Sequence, residues 1–249
     1  MLSGQTVLVT GGSKGIGLAI ARLACRASAA GVALLARGAE SLAAAQEDLT
    51  TEFPSTTVSV HAADVTAEGE VEDAFAAAVA THGAIDVLVN NAGIMGKRLP
   101  LVESESAELA RVMDVNVMGA YHVLMAGLRS TPRPRVVINM SSAAGVRGIP
   151  ELGLYCASKF ALNGLSATAG EEFPDVRIIA ISPGSVATDL NPQGERDPED
   201  IGPFFDLLVD PARSEEYARF QESVGFANGG YAHVSDFEAF ISSSAPSSE

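Results

Sequence analysis

Residues 5–17 read QTVLVTGGSKGIG. Thr6 to Val9 form an apolar, β-branched run of strand character, and the chain then passes Gly11, Gly15 and Gly17 in the spacing G-x-x-x-G-x-G before an Ala-rich stretch of helical period. Glycines between a strand and a helix let the backbone turn tightly and approach a pyrophosphate, whose charge then sits at the helix N-terminus. The spacing departs from the commoner G-x-G-x-x-G, but the physical requirement is the same. Alone it is an ordinary turn. Placed between the first strand and first helix of an α/β chain, it reads as a nucleotide loop that also takes in Ser13, Lys14 and Ile16.

The alternation continues outward from that loop. Strand-like runs recur at 31–36, 57–62, 85–90, 135–140 and 176–182, with helical stretches near 16–28, 39–52, 67–82, 105–130 and 153–172. This order predicts an α/β fold: one doubly wound parallel sheet of about seven strands with helices on both faces. Beyond Pro183 the alternation lapses into the polar stretch NPQGERDPEDIGP (191–203), then a helical pattern at 213–224 and a last strand-like run at 230–235. A single domain over 1–241 is expected. Its segment 185–228 would cover a substrate beyond the strands' carboxyl ends, and SSSAPSSE (242–249) would form a flexible tail.

The 249 residues carry 31 acidic and 16 basic side chains, a formal net charge of −15, which argues against a nucleic-acid or anionic-membrane partner. Cys25 and Cys156 give neither a disulfide framework nor metal-ligand spacing and fit a reducing compartment. The N-terminus lacks a basic start and a long apolar region, and Arg22 and Arg26 interrupt the helix at 16–28. A soluble, cytoplasmic protein without a metal is expected.

Chemistry concentrates at the ends of the strand-like runs. After the second, Leu35-Ala36-Arg37 offers no carboxylate for a ribose 2′-hydroxyl, whereas Arg37 and Lys14 offer two cations for a 2′-phosphate, so NADP(H) is the predicted cofactor. Asp64-Val65 and Asn90-Asn91-Ala92-Gly93 end the third and fourth runs, where they read first as turn formers. Asn116, inside an apolar helical stretch, is either a satisfied core amide or part of a polar chain into a site. In the stretch 141–159, SSAAGVRGIPELGLYCASK, Tyr155 and Lys159 stand four residues apart and share a helix face. A neighbouring ammonium favours the phenolate, so Lys159 is expected to lower the Tyr155 pKa and fit it for acid–base work.

Together TGGSKGIG, NNAG, Asn116, Ser142 thirteen residues before Tyr155, YCASK and Pro183-Gly184 resemble the short-chain dehydrogenase/reductase family over about residues 5–190. The resemblance implies a Rossmann-type sheet and a tetrad of Asn116, Ser142, Tyr155 and Lys159. It implies that Asp64 and Val65 lie by the adenine of a nicotinamide cofactor, Asn91, Ala92 and Gly93 by the ribose, and Pro183, Gly184, Val186 and Thr188 by the nicotinamide. Ser142 would hydrogen-bond a substrate carbonyl, Tyr155 would protonate it, Lys159 would hold the ribose, and Asn116 would fix a water leading from Lys159 to solvent. Ser141 is the rival serine, and the family's thirteen-residue offset favours Ser142.

Family counterparts of the stretches at 105–130 and 153–172 often pair between subunits, and small residues at Ala157, Ala161 and Gly164 suit a homodimer or homotetramer. The carboxyl-terminal runs resemble the sepiapterin reductase-like members, with Ser235 where those carry an Asp, and Asp236 one position on. On a strand that shift reverses the side presented. The expected activity is NADPH-dependent reduction of a small ketone or dione, of sepiapterin or benzil reductase type. The alternatives are a 3-oxoacyl or polyketide-type ketoreductase, a secondary-alcohol dehydrogenase, and an NADPH-binding regulatory protein.

Overall fold

All five residues of β1 (Thr6–Thr10) are buried, because helices cover the strand on both sides. Alternate side chains feed two different cores. Val7 and Val9 pack with Ile20, Leu34 and Phe204 on one face, while Leu8 packs with Phe75, Leu88 and Leu128 on the other. The computed structural model describes residues 2–244. Its first half runs α1 (Gly15–Arg26), β2 (Gly31–Ala36), α2 (Ala39–Glu52), β3 (Thr57–Ala62), α3 (Glu68–His82) and β4 (Val87–Asn90). After α4 (Ser106–Met113) and α5 (Ala120–Arg129) come β5 (Val136–Met140), α6 (Gly153–Glu172) and β6 (Arg177–Ser182). The chain closes with α7 (Gly202–Val209), α8 (Ser214–Val224), β7 (Tyr231–His233) and α9 (Val234–Ser244).

The strands form one sheet in the order β3-β2-β1-β4-β5-β6-β7, with every neighbouring pair parallel. This is the doubly wound Rossmann-type sheet expected from the alternation. All seven carboxyl ends therefore lie along one edge, and the strand order reverses at β1, between β2 and β4. Among the described residues no helix is long and apolar enough to cross a membrane, and no group of three or more His, Cys, Asp or Glu side chains is placed to hold a metal.

Three stretches depart from the sequence reading. The helix expected over 105–130 is broken in the middle by a wide π-helical turn, Asp114–Gly119, that carries Asn116 between α4 and α5. The segment after Pro183 contains α7, GPFFDLLV, whose apolar residues lack a one-sided pattern because the helix is buried nearly all round. The last strand ends at His233 rather than 235. Asp236 accepts a hydrogen bond from the His233 backbone N–H at 2.8 Å, and the chain turns into α9 there. Ser235 and Asp236 thus stand in a helix's first turn, so strand alternation does not govern which way they point. Ser242–Ser244 belong to α9 instead of starting a tail, and the rest of that stretch, 245–249, lies outside the described residues.

A ring cluster fastens the carboxyl-terminal helices to the sheet. Phe220 is fully buried, with ring centroids 5.6 Å from Phe204, 5.6 Å from Phe226 and 6.1 Å from Phe237, mostly edge to face. Phe220→Ala is expected to cost about 3–5 kcal/mol in urea unfolding of the free protein. A loss below about 1 kcal/mol would show that α7, α8 and α9 do not depend on this cluster.

Candidate active site

Where the sheet order reverses, a cleft of about 870 Å³ opens along the carboxyl edge. The loop from β1 to α1 forms its floor. Gly11 has φ +64°, and its N–H still bonds the Leu35 carbonyl at 2.7 Å, so the turn begins without leaving the ladder. At Gly17 a Cβ would fall 2.3 Å from the Gly11 carbonyl oxygen, so only glycine lets α1 press against the loop. Lys14 is the N-cap of α1 and makes no side-chain cap bond, and no acid lies in the helix's first turn. The N–H groups at that terminus are thus aimed at the cleft with a positive end and no competing carboxylate of the helix itself, which is what a dinucleotide pyrophosphate requires.

Most of the expected cofactor residues meet here. Gly11, Ser13, Lys14, Gly15 and Ile16 line the cleft, as do Arg37 from β2's end, Asp64 and Val65 from β3's end, Asn91 to Gly93 from β4's end, and Thr188. Gly17, Pro183, Gly184 and Val186 do not line it; Gly17 supports the floor from below, and Val186 is buried. The Asn91 side chain turns into the protein, donating to the Thr10 carbonyl at 2.9 Å. The Thr10 hydroxyl in turn accepts from the Asn91 and Ala92 N–H groups at 2.9 and 3.0 Å, which ties the two loops together. Asp64 is held by the Thr66 N–H and hydroxyl, both at 2.9 Å, and these bonds, chiefly the backbone one, hold its carboxyl below the usual range.

Sequence reasoning missed Gly38 and Ser41, at the start of α2 beside Arg37, and Asp189 and Leu190 after Thr188. Only the position of Ser41 in a helix's first turn after the second strand was a readable signal. Residues 185–196 form a flap. Glu195 and Arg196 donate to the Ser185 carbonyl at 2.9 and 3.0 Å, and Ala187 donates to the Arg196 carbonyl at 2.9 Å. Arg196 also pairs with Glu238 of α9 through two bonds of 2.6 and 3.1 Å.

The expected tetrad gathers beyond Gly93. A Cβ on Gly93 would lie 3.2 Å from Asn116 Oδ1 and 3.7 Å from Lys159 Nζ, so this glycine separates the cleft from both groups. Lys159 is 4% exposed, donates to the Met140 carbonyl at 2.7 Å, and sits 5.6 Å from the Tyr155 ring centroid. Ser142 stands beside the Tyr155 phenol, close enough to work against the effect of burial on it. Ser141 is otherwise engaged, donating to Asn163 Oδ1 at 2.6 Å, so the serine beside the phenol is Ser142. Met95, Ile149 and Leu152 pack around Tyr155 as an apolar wall.

One expectation about this cluster needs correction. Burial pushes the Tyr155 phenol up to about 12, with Ser142 pulling the other way, so the expected lowering by Lys159 does not prevail. Burial lowers Lys159 to about 8. The Asn116 amide is held by protein groups. Its oxygen accepts from the Ile94 N–H at 2.7 Å, and its NH₂ donates to the Ile94 carbonyl at 2.7 Å and to Ser158 Oγ at 3.0 Å. Ser158 passes the link on by donating to the Tyr155 carbonyl at 2.7 Å.

Comparison with known proteins agrees with this geometry. Residues 5–199 match the family model for short chain dehydrogenases. An NADPH-dependent pterin aldehyde reductase of Arabidopsis thaliana is 37% identical over 194 residues, covering 76% of this chain and 78% of its own. Levodione reductase of Leifsonia aquatica is 34% identical over 225 residues, covering 88% and 84%. A crystal structure of levodione reductase superposes with a TM-score of 0.81 at 25% identity, over 94% of this chain and 97% of that one. Nucleotide cleft, Tyr–Ser–Lys cluster and relatives agree: the chain belongs to the short-chain dehydrogenase/reductase family of oxidoreductases, which act on CH–OH and C=O groups.

Proposed function

We propose that this chain is an NADPH-dependent reductase of small ketones or diones, with Asn116, Ser142, Tyr155 and Lys159 as its tetrad. The observation that carries the reading is the Tyr155 phenol, buried beside Ser142 and walled by Met95, Ile149 and Leu152. The bound nicotinamide supplies the hydride; the chain's residues do the rest. A phenol pushed up to about 12 keeps its proton at neutral pH, so it is a ready general acid for the oxygen of a reduced carbonyl. Ser142 donates to the same oxygen as negative charge develops. Lys159, at the end of the cleft next to Gly93, holds the ribose hydroxyls. Asn116 and Ser158 fix the Ile94 backbone and the Tyr155 turn relative to one another.

Arg37, Lys14 and Ser41 receive the 2′-phosphate of NADPH, since all three line the cleft, Arg37 and Ser41 at the start of α2 and Lys14 from the glycine loop. The substrate class follows from the apolar wall and from the names of the pterin aldehyde and levodione reductases, both of which denote enzymes of small carbonyl compounds. Leu109 on α4, Met118 in the π turn and Phe160 on α6 are exposed by 38, 46 and 49%. A second copy covers this face in the homodimer or homotetramer we propose, with Gly164, one turn from Phe160, leaving room for close approach.

Oxidation of NADPH with a panel of sepiapterin, benzil and an acetoacetyl thioester is expected to show turnover of the first two, with kcat/KM above that for NADH. Tyr155→Phe should lower turnover about 10²–10⁴-fold. An unaffected variant, or equal use of NADH, would refute the corresponding assignment. Lys159 carries a stability signature of its own. Its pKa is lowered by burial from 10.5 to about 8, so as pH falls the unfolded chain takes up this proton first; the penalty grows from about pH 10.5 to pH 8 and is complete below 8. Free Lys159→Met protein should therefore melt above wild type at pH 7, with the gap closing as pH rises through 8 to 10. A gap independent of pH would contradict it. Phe160→Glu should shift the light-scattering mass to a smaller species, and an unchanged mass would place the subunit contact elsewhere.

A further inference from the structure

Two carboxylates, Asp64 and Asp189, line a cleft whose floor is arranged for phosphate. Each stands against one of the two cations there. Arg37 Nη1 is 3.7 Å from Asp64 Oδ2, and Lys14 Nζ is 2.7 Å from Asp189 Oδ2. The two pairs differ in kind. Thr66 occupies Asp64 Oδ1 with two bonds, and Arg37 faces Oδ2 from beyond direct hydrogen-bond distance. Asp189 has Lys14 as its hydrogen-bond partner, and that bond is what lowers its carboxyl. The Lys14–Asp189 bond joins the glycine loop to the flap across the cleft, one residue after Thr188, which packs against Gly15.

We propose that Asp189 is a specificity-determining residue that weakens this chain's preference for NADPH over NADH by competing with the 2′-phosphate for Lys14. This rests on the reading that Lys14 receives that phosphate. An ammonium 2.7 Å from a carboxylate offers an arriving anion little net charge, so the phosphate must displace Asp189 or share the lysine with it. NADH has no group that requires the exchange. Both side chains are largely exposed, 69 and 78%, so the pair is weak and the penalty is small. Asp189 therefore attenuates selectivity and does not reverse it.

The test is the dissociation constant of NADPH and of NADH, by calorimetric titration of the full chain, for wild type, Asp189→Asn, Lys14→Gln and the charge control Glu215→Gln. Asp189→Asn is expected to tighten NADPH about two- to fivefold and leave NADH unchanged, raising the NADPH/NADH affinity ratio by that factor. Lys14→Gln should weaken NADPH and spare NADH, and Glu215→Gln should move neither. Equal tightening of both cofactors by Asp189→Asn would mean that the carboxylate opposes the pyrophosphate instead, and overturns the proposal. Weakening of both would make the pair a strap that holds the flap, and also overturns it. If Lys14→Gln leaves NADPH untouched, the phosphate reading fails and the proposal with it. If Lys14→Gln behaves as expected while Asp189→Asn shifts nothing, the competition alone is wrong.

Discussion

β1 is held between β2 and β4 by two parallel ladders, Val9 opposite Leu34 on one side and Val89 on the other, and the rest of the molecule is built on that double pairing. Parallel neighbours require crossovers, and right-handed crossovers starting from a central strand must place helices on opposite faces to its two sides. The connections leaving β1 and β4 therefore part company at the carboxyl edge. The cleft is the space they leave, and α1 begins in it with its positive end outward. Loops at that edge belong to different crossovers, so they need tying. The Thr10 hydroxyl does this for the β1 and β4 loops, and Gly17 lets α1 close on the floor.

Several of the most deeply buried polar side chains lie on the Tyr155 side of that edge. Lys159, Asn116, Ser158 and Asn139 are all within a few per cent of complete burial. Asn116 and Ser158 are satisfied by each other and by backbone, whereas Lys159 has its charge desolvated and Asn139 Oδ1 lacks a protein partner. Such groups destabilise the chain relative to apolar ones of the same shape. The π turn that carries Asn116 belongs with them, since it sets this amide against the Ile94 backbone. The extensive cores on both sheet faces offset that local cost.

The strongest periodic elements were legible residue by residue. The runs at 31–36 and 57–62 coincide with β2 and β3, and the stretches at 39–52 and 153–172 coincide with α2 and α6. Local sequence failed where a tertiary contact decides the conformation. The π turn has the same apolar spacing as the helices flanking it, α7 has no polar face to give a period, and β7 stops because Asp236 reaches back to His233. At the site, helical spacing correctly set Tyr155 beside Lys159, yet spacing carries no information on burial, which reverses the sign of the expected phenol shift. Asp189 was invisible for a related reason, since its place in the cleft depends on loops that only the fold brings together.

That reversal changes how the tetrad's electrostatics divide the work. Burial keeps the proton on the Tyr155 phenol, so in the proposed tetrad this group stands protonated before a carbonyl arrives. Lys159, lowered to about 8, still carries its charge at neutral pH but holds it weakly, so any oxygen that approaches it gains more than it would from an exposed ammonium. The cleft on the other side of Gly93 follows the opposite rule: Lys14 and Arg37 are exposed and already shared with acids. In the proposed site the cations that would select the cofactor thus sit in weak, screened pairs, while the proposed tetrad is made of desolvated groups.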